Sequence, residues 1–291
     1  MAPNGEQAHS ATGILLARAD SAPRATRHPR QRESRQLVQD PHLLGSVMFE
    51  TASETLWSLH NHPCEHELLW PLTGALTVTA AGRISTVLPG QGAWLRAGEG
   101  HEVSTRRPTR FGVTFVRTDA PGIGSPATGT SAVTPALREL LIHMNREQLD
   151  LEAHLRLQRA CLDLMTPARM PRPSVPVPQD PRLTPLVHGL LEDCGDPRSL
   201  HEWAEELHLS TRTISRALHA ATGMPFSRWR RQLRIQQAQT LLADGETVTS
   251  TAWQVGYLST SAFVAAFRTV TGVTPATLIP PDVDQTPLAD R

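Results

Sequence analysis

Residues 60–74 read HNHPCEHELLWPLTG, and they place three histidines, two glutamates and a cysteine within eight positions. Neutral imidazole and carboxylate are the side chains that hold divalent first-row metals. One histidine here would carry no message; His60, His62, His66 and Glu67 together make a first candidate for metal or ligand binding. A second candidate lies near the other end of the chain. Arg212, Ser215, Arg216 and His219 recur at helical spacing, so one face offers groups that reach phosphates and base edges.

Both clusters need elements to position them. A chain of 291 residues exceeds one ordinary domain, which points to two modules plus tails. The formal net charge is zero and every basic residue is Arg, which excludes a globally basic nucleic-acid binder but not a local basic face. Three widely spaced cysteines, Cys64, Cys161 and Cys194, argue against a disulfide framework and for a reducing compartment. No run approaches the length of a membrane span and the N-terminus lacks the order of a secretory signal, so a soluble, cytoplasmic protein is expected.

Residues 1–40 are polar and Arg-rich and are expected to be a disordered tail. From about 45 to 118, short β-type segments alternate with turn signals: LTVTA, RISTVL, AWL and RFGVTFV, separated by AG, PGQG and AGEGH. In the last of these, Phe111, Val113 and Phe115 alternate and define one buried face. Leu137, Leu140, Leu141 and Met144 then follow helical spacing, and a second helix is expected over about 149–165. These helices could pack on the strands or pair with a second copy. Residues 166–181 are rich in proline, which removes amide donors and restricts the preceding residue, so the linker is placed there.

Ser199 is a candidate N-cap, followed by Leu200, Trp203, Ala204 and Leu207 on one helical stripe. A tight HLS connection leads to a second helix with Ile214, Ala217, Leu218 and Ala221 inward, which makes a helix-turn-helix. A longer helix from about Pro225 carries Phe226, Trp229, Leu233, Leu241 and Leu242 inward, with Arg228, Arg230, Arg231 and Arg234 outward. Then TSTAWQVGYLSTSAFVAAFRTVTGVTP repeats the plan, with Ser259 as N-cap and Phe263, Ala266, Phe267 and Val270 buried.

Ala252, Gly256, Tyr257, Ser259, Ser261, Phe263, Phe267, Arg268, Gly272, Thr274 and Pro275 resemble the signature of AraC/XylS-type transcriptional regulators. Trp203, Ala204, Ser210, Gly223, Trp229 and Leu241 match it too, over residues 182–279. The resemblance implies an all-α domain with two helix-turn-helix units. It places base reading on Thr211, Arg212, Ser215 and Arg216, in agreement with the face derived from spacing. On the second unit it selects Thr260, Ser261, Val264 and Ala265, with Arg268 holding a phosphate. The first unit should therefore supply most base discrimination.

His60-x-His62, Glu67 and Gly74 resemble the first motif of the cupin barrel, and RAGEGH resembles the second in part, with Arg96 where proline is usual. The resemblance implies a ligand set of His60, His62, Glu67 and His101. Alternate strand residues share a face, so His60 and His62 can meet one centre. Two occupants remain open, one divalent metal ion or an organic effector that hydrogen-bonds to the histidines. His66 falls outside the pattern and is assigned to the surface or to a supporting position, and Cys64 to a loop or a redox-sensitive thiol.

The expected fold class is α+β: a cupin-like β-barrel with flanking helices over 41–165, then the helical domain over 182–279 and a tail over 280–291. The expected function is a homodimeric, non-enzymatic regulator that binds promoter DNA and senses a small molecule or metal, with contact to RNA polymerase left open. A metal-dependent cupin enzyme and a constitutive DNA binder whose cupin domain only dimerises are the alternatives.

Overall fold

The computed structural model describes residues 37–123, 127–165 and 174–280. Most of the Arg-rich tail, the first half of the Pro-rich stretch and all but the first residue of the C-terminal tail lie outside the described residues. By its contacts the chain divides into two units, one reaching from the N-terminal residues to residue 171 except for Gly82–Thr86, and one made of Gly82–Thr86 with the remainder.

The first unit begins with β1 (Leu44–Thr51), β2 (Thr55–His60), β3 (Glu65–Thr73) and β4 (Leu76–Ala80), and β5 (Arg83–Val87) follows. It continues with β6 (Gln91–Leu95), β7 (His101–Thr105), β8 (Thr109–Arg117) and β9 (Gly129–Ala132). One antiparallel sheet runs β1-β8-β3-β6-β9, and in a second β7 lies between β4 and β2. Leu69, Val78, Val103, Phe111 and Val113 from both sheets share one apolar cluster. Among the described residues the β-rich part of the expected cupin-like fold is two open sheets and not a closed barrel, with β1 and β9 as the edges of the first. An alternating pattern dictates which face is apolar, and two open sheets sharing a core satisfy it as well as a closed ring does.

β3 is buried on both faces, which accounts for its unbroken run of buried residues from Glu65 to Pro71. Leu68 and Trp70 point away from the inter-sheet core and pack with α1 (Pro135–Arg146) and α2 (Leu151–Leu164), through Leu137, Leu141 and Leu162. The two helices thus lie on the sheet, which answers the question left open by their periodicity. Gly112 sits directly opposite Trp70, and a Cβ there would fall 2.3 Å from the indole ring. Only glycine lets the indole lie flat on the strand while its N–H donates to Thr114 Oγ1 at 3.0 Å.

Thr134 and Asp150 cap α1 and α2 with side-chain oxygens. The Gln158 amide carbonyl of α2 accepts from the Leu43 and Leu44 N–H groups at 2.6 and 3.3 Å, and its nitrogen lies 2.9 Å from His42 Nδ1. The His42 and His154 rings meet edge to face at 5.1 Å.

The second unit holds α3 (Thr184–Glu192), α4 (Leu200–Glu206), α5 (Thr211–Thr222), α6 (Phe226–Ala243), α7 (Val248–Gln254) and α8 (Thr260–Thr271) around Trp203, Trp229, Phe263 and Phe267. Within the stretch expected to lack regular structure, a two-residue strand, β10 (Val175–Pro176), pairs with β5, and a 3-10 turn spans Pro181–Leu183. Trp229 Nε1–H donates to the Pro176 carbonyl at 2.8 Å, and Thr86 Oγ1 of β5 lies 2.5 Å from Gln236 Nε2 and 3.1 Å from Thr240 Oγ1. The stripes fall where helical spacing predicts them, with Leu200, Leu207, Phe226, Ala266 and Val270 partly buried against the core and Ala221 exposed. Among the described residues, no helix is long and apolar enough to cross a membrane.

Burial lowers the pKa of His42 and of His154 from 6.5, and His42 lowers that of His154 further. A group with a depressed folded-state pKa contributes stability that is present above 6.5 and is lost as pH falls below it. Denaturation midpoints should therefore decline below about pH 6.5, and His154→Gln should flatten that decline. An equally steep decline in the variant would remove this pair as a cause.

Candidate DNA-reading face and histidine pocket

The histidine site depends on an irregularity in β2. Trp57 pairs with Val103 and His60 with His101, so two residues of β2, Ser58 and Leu59, face one of β7. This bulge resets the alternation and turns His60 inward with Trp57, leaving Leu59 exposed. The imidazoles of His60, His62 and His101 converge, with ligand atoms within 4.8 Å of one another. Glu67, in the inward phase of β3, places Oε2 3.1 Å from His101 Nε2 and 3.7 Å from His62 Nε2.

The imidazole orientations are held from behind. His60 Nδ1 lies 2.8 Å from the Ser58 carbonyl and His101 Nδ1 lies 3.0 Å from that of Glu99. A carbonyl only accepts, so Nδ1 carries the proton and Nε2 is left toward the site, as in metal-binding histidines. Burial lowers the pKa of His60 and His62, which favours the neutral ring that binds a metal. For His101 burial opposes charge, yet the Glu67 carboxylate and the Glu99 carbonyl outweigh it and raise the pKa.

Glu67 Oε2 and His101 Nε2 are buried and, despite their 3.1 Å approach, neither completes an aligned hydrogen bond. Their ion-pair contact leaves both atoms short of a well-aligned hydrogen bond, and buried polar groups in that state have room for a further partner. A cavity of about 210 Å³ adjoins them, walled by Phe49, Trp57, Phe111, Val113 and Phe115. The alternation of FGVTFV announces three of these walls as buried, but strand period alone does not separate core from pocket lining. His66, expected at the surface or in a supporting position, is buried on the opposite face of β3, where its Nδ1 accepts from the Ala97 N–H at 3.1 Å. The odd-even phase that brings Glu67 in sends His66 out. Cys64 is half-buried, and all three cysteines are free.

The two helix-turn-helix units are built alike. Ser210 Oγ accepts from the Thr213 N–H at 3.0 Å and Ser259 Oγ from the Ala262 N–H at 3.2 Å, starting α5 and α8. Each helix ends at a glycine with positive φ, Gly223 and Gly272. Ser199 and Glu202 complete a capping box on α4.

Thr211, Arg212, Ser215 and Arg216 are all exposed along α5, and His219 continues the row. On α8, Ser261, Ala265 and Arg268 are exposed and Thr260 is half-buried, while Val264 packs against the core and offers only part of its surface. Arg230 and Arg234, expected outward, are half-buried, because their guanidinium groups donate to the backbone carbonyls of Arg198, Cys194 and Gly256.

A family model described as a helix-turn-helix domain matches residues 203–279. Residues 203–279 carry an AraC-type helix-turn-helix domain, and the chain acts as a DNA-binding transcriptional regulator. It is similar to the HTH-type transcriptional regulator NimR of Escherichia coli, 27% identical over 225 residues, covering 76% of this chain and 81% of NimR. It is 38% identical over 109 residues to the HTH-type transcriptional regulator RipA of Corynebacterium glutamicum, a match covering 38% of this chain and 32% of RipA. Among solved structures, ToxT from Vibrio cholerae aligns over 81% of this chain and 97% of its own, with 11% identity and a TM-score of 0.34. The histidine pocket therefore belongs to a chain that carries a DNA-binding domain.

In this regulator the cap of the reading helix is a single hydroxyl. Ser210→Ala should lower unfolding free energy by about 1 kcal/mol, measured by denaturant titration; an unchanged midpoint would show that the α5 start is held by packing alone.

Proposed function

We propose that this regulator senses a divalent metal ion through His60, His62, Glu67 and His101 and answers by changing how its helical domain engages promoter DNA. The observation that carries the proposal is the convergence of the His60, His62 and His101 imidazoles, with ligand atoms within 4.8 Å of one another, on the buried Glu67 carboxylate. Three histidines and a carboxylate suit a borderline metal, which would supply there the positive charge that Glu67 and the imidazole lone pairs lack. A cupin-like sensor over 41–165 joined to a DNA-binding domain over 182–279 is the corresponding organisation, and a cytoplasmic homodimer the corresponding assembly. The apolar cavity favours a second reading, in which a small organic effector occupies the aromatic walls and hydrogen-bonds to the histidines.

On DNA, Thr211, Arg212, Ser215 and Arg216 of α5 read base edges in one major-groove segment. Thr260, Ser261, Val264 and Ala265 of α8 enter the next, about 34 Å along the duplex, and Arg268 meets a phosphate there. The α8 residues bring small hydroxyls and apolar contacts but no bidentate donor, so the first unit discriminates and the second positions. A bound effector biases which arrangement is populated only by binding it more tightly.

Elemental analysis of protein purified without added metal should find one divalent ion per chain, absent from His62→Ala. No metal in either, even after reconstitution, would leave the organic effector. Arg216→Ala should cost about 1–3 kcal/mol of preference for specific over random DNA and relax selection at one base. An undiminished preference would remove α5 as the reading helix.

A further inference from the structure

The helical unit has a strongly charged face beyond the reading residues. From Leu207 to Ala243 the chain contains Arg212, Arg216, Arg228, Arg230, Arg231 and Arg234 and no Asp or Glu. A zero net charge for the whole chain therefore conceals a block of one sign. Two clefts open on this block. One, of about 670 Å³, is lined by Ser215, Arg216 and His219 of α5 and by Phe226 and Ser227 at the start of α6. The other, of about 540 Å³, continues from the same Phe226 and Ser227 along Arg230, Arg231 and Arg234 to Leu258, next to the N-cap of α8.

Because Phe226 and Ser227 line both, the clefts adjoin at the start of α6 and make a grooved surface between the reading face of α5 and the start of α8. Its arginines divide by their partners. Arg234 Nε and Nη1 donate to the Cys194 and Gly256 carbonyls at 3.0 and 2.9 Å, so this guanidinium ties loops together. Arg230 donates through Nη1 to the Arg198 carbonyl at 2.6 Å, while its buried Nε has no partner and no carboxylate bridges it. Arg231 is exposed, and no hydrogen bond or ion pair engages it among the described residues. In the same unit Arg182 and Arg198 are both paired with carboxylates, so the lack of partners here is local.

We infer that this groove carries the sugar-phosphate backbone of the DNA lying between the two major-groove segments, with Arg231 as a phosphate contact and the Ser227 hydroxyl beside it. A duplex contacted by both α5 and α8 must pass the face of α6 that joins them, and a row of arginines without acids suits a polyanion. Phosphate contacts carry no base information, so this site sets affinity and register and leaves discrimination to α5. The inference rests on α5 being the reading helix.

The test compares full-length wild type, Arg231→Gln, Arg231→Lys and Arg216→Gln, by fluorescence anisotropy over a salt series. The probes are a duplex selected by the wild type from a random pool and a scrambled duplex. For Arg231→Gln, affinity for both duplexes should fall by the same factor. The slope of log affinity against log salt should flatten by about one, equivalent to roughly fourfold less loss between about 50 and 200 mM salt. Arg231→Lys should restore the slope. If Arg216→Gln alters the preference and Arg231→Gln leaves affinity and slope unchanged, the groove is overturned while α5 stands. A loss of preference in Arg231→Gln would make it a base reader and overturn the inference too. Unchanged binding with altered transcription would assign Arg231 to an acidic protein partner, again overturning it. An unchanged preference in Arg216→Gln would bring down the α5 reading and the path inferred from it.

Discussion

A carboxylate placed between two apolar sheets costs several kcal/mol unless its charge is met, and the first unit is arranged around that cost at Glu67. β3 carries it inward from the middle of a sheet paired on both sides, so it cannot swing out to water. His101 approaches from β7, His62 from the turn before β3, and His60 only because β2 gains a residue opposite Glu102. Four side chains, from three strands and the turn between two of them, are brought to one point, and the backbone carbonyls behind two of them hold the rings. A residue two positions earlier, Glu65, meets the same problem differently: its Oε1 accepts from the N–H groups of Leu37 and Val38, and it is a satisfied structural group.

The helical unit answers to the opposite constraint. Its aromatic core is completed by Trp203, Trp229, Phe263 and Phe267, none of which reaches solvent. The surface is then free to carry charge of one sign, with acids gathered on α3, α4 and the α6–α7 turn and arginines on α5 and α6. Segregation of this kind gives a locally basic face without a basic protein, which is how a neutral chain can bind a polyanion.

Much of this is written in the sequence where period and capping agree. The stripes of α5 and α8, their serine caps and the alternation in FGVTFV are local signals, and each names its element correctly. What could not be read is set by longer-range contact. Whether strands close into a ring depends on which edges meet, and no residue type records that. His66 falls outside the ligand pattern already in the sequence, but that it is buried and not at the surface follows from its place on the far face of β3, the face that the helices cover, which no local signal records. Arg230 and Arg234 look solvent-facing on a helical wheel, yet loops at Cys194 and Gly256 fold over them and use their donors. β10 hides in a proline-rich stretch because its partner, β5, lies about ninety residues earlier in the chain.

That pairing changes what a unit of heredity means for this protein. The helical assembly is discontinuous in the gene: Gly82–Thr86 group with it by contact, although a whole β-rich module is encoded on either side of them. A fragment started at residue 172 would strip β10 of its neighbour and leave the Gln236 amide without the Thr86 oxygen. Recombination that exchanged the DNA-binding half between relatives at that point would import a helix α6 matched to a strand left behind in the donor, so the two segments are bound to diverge together.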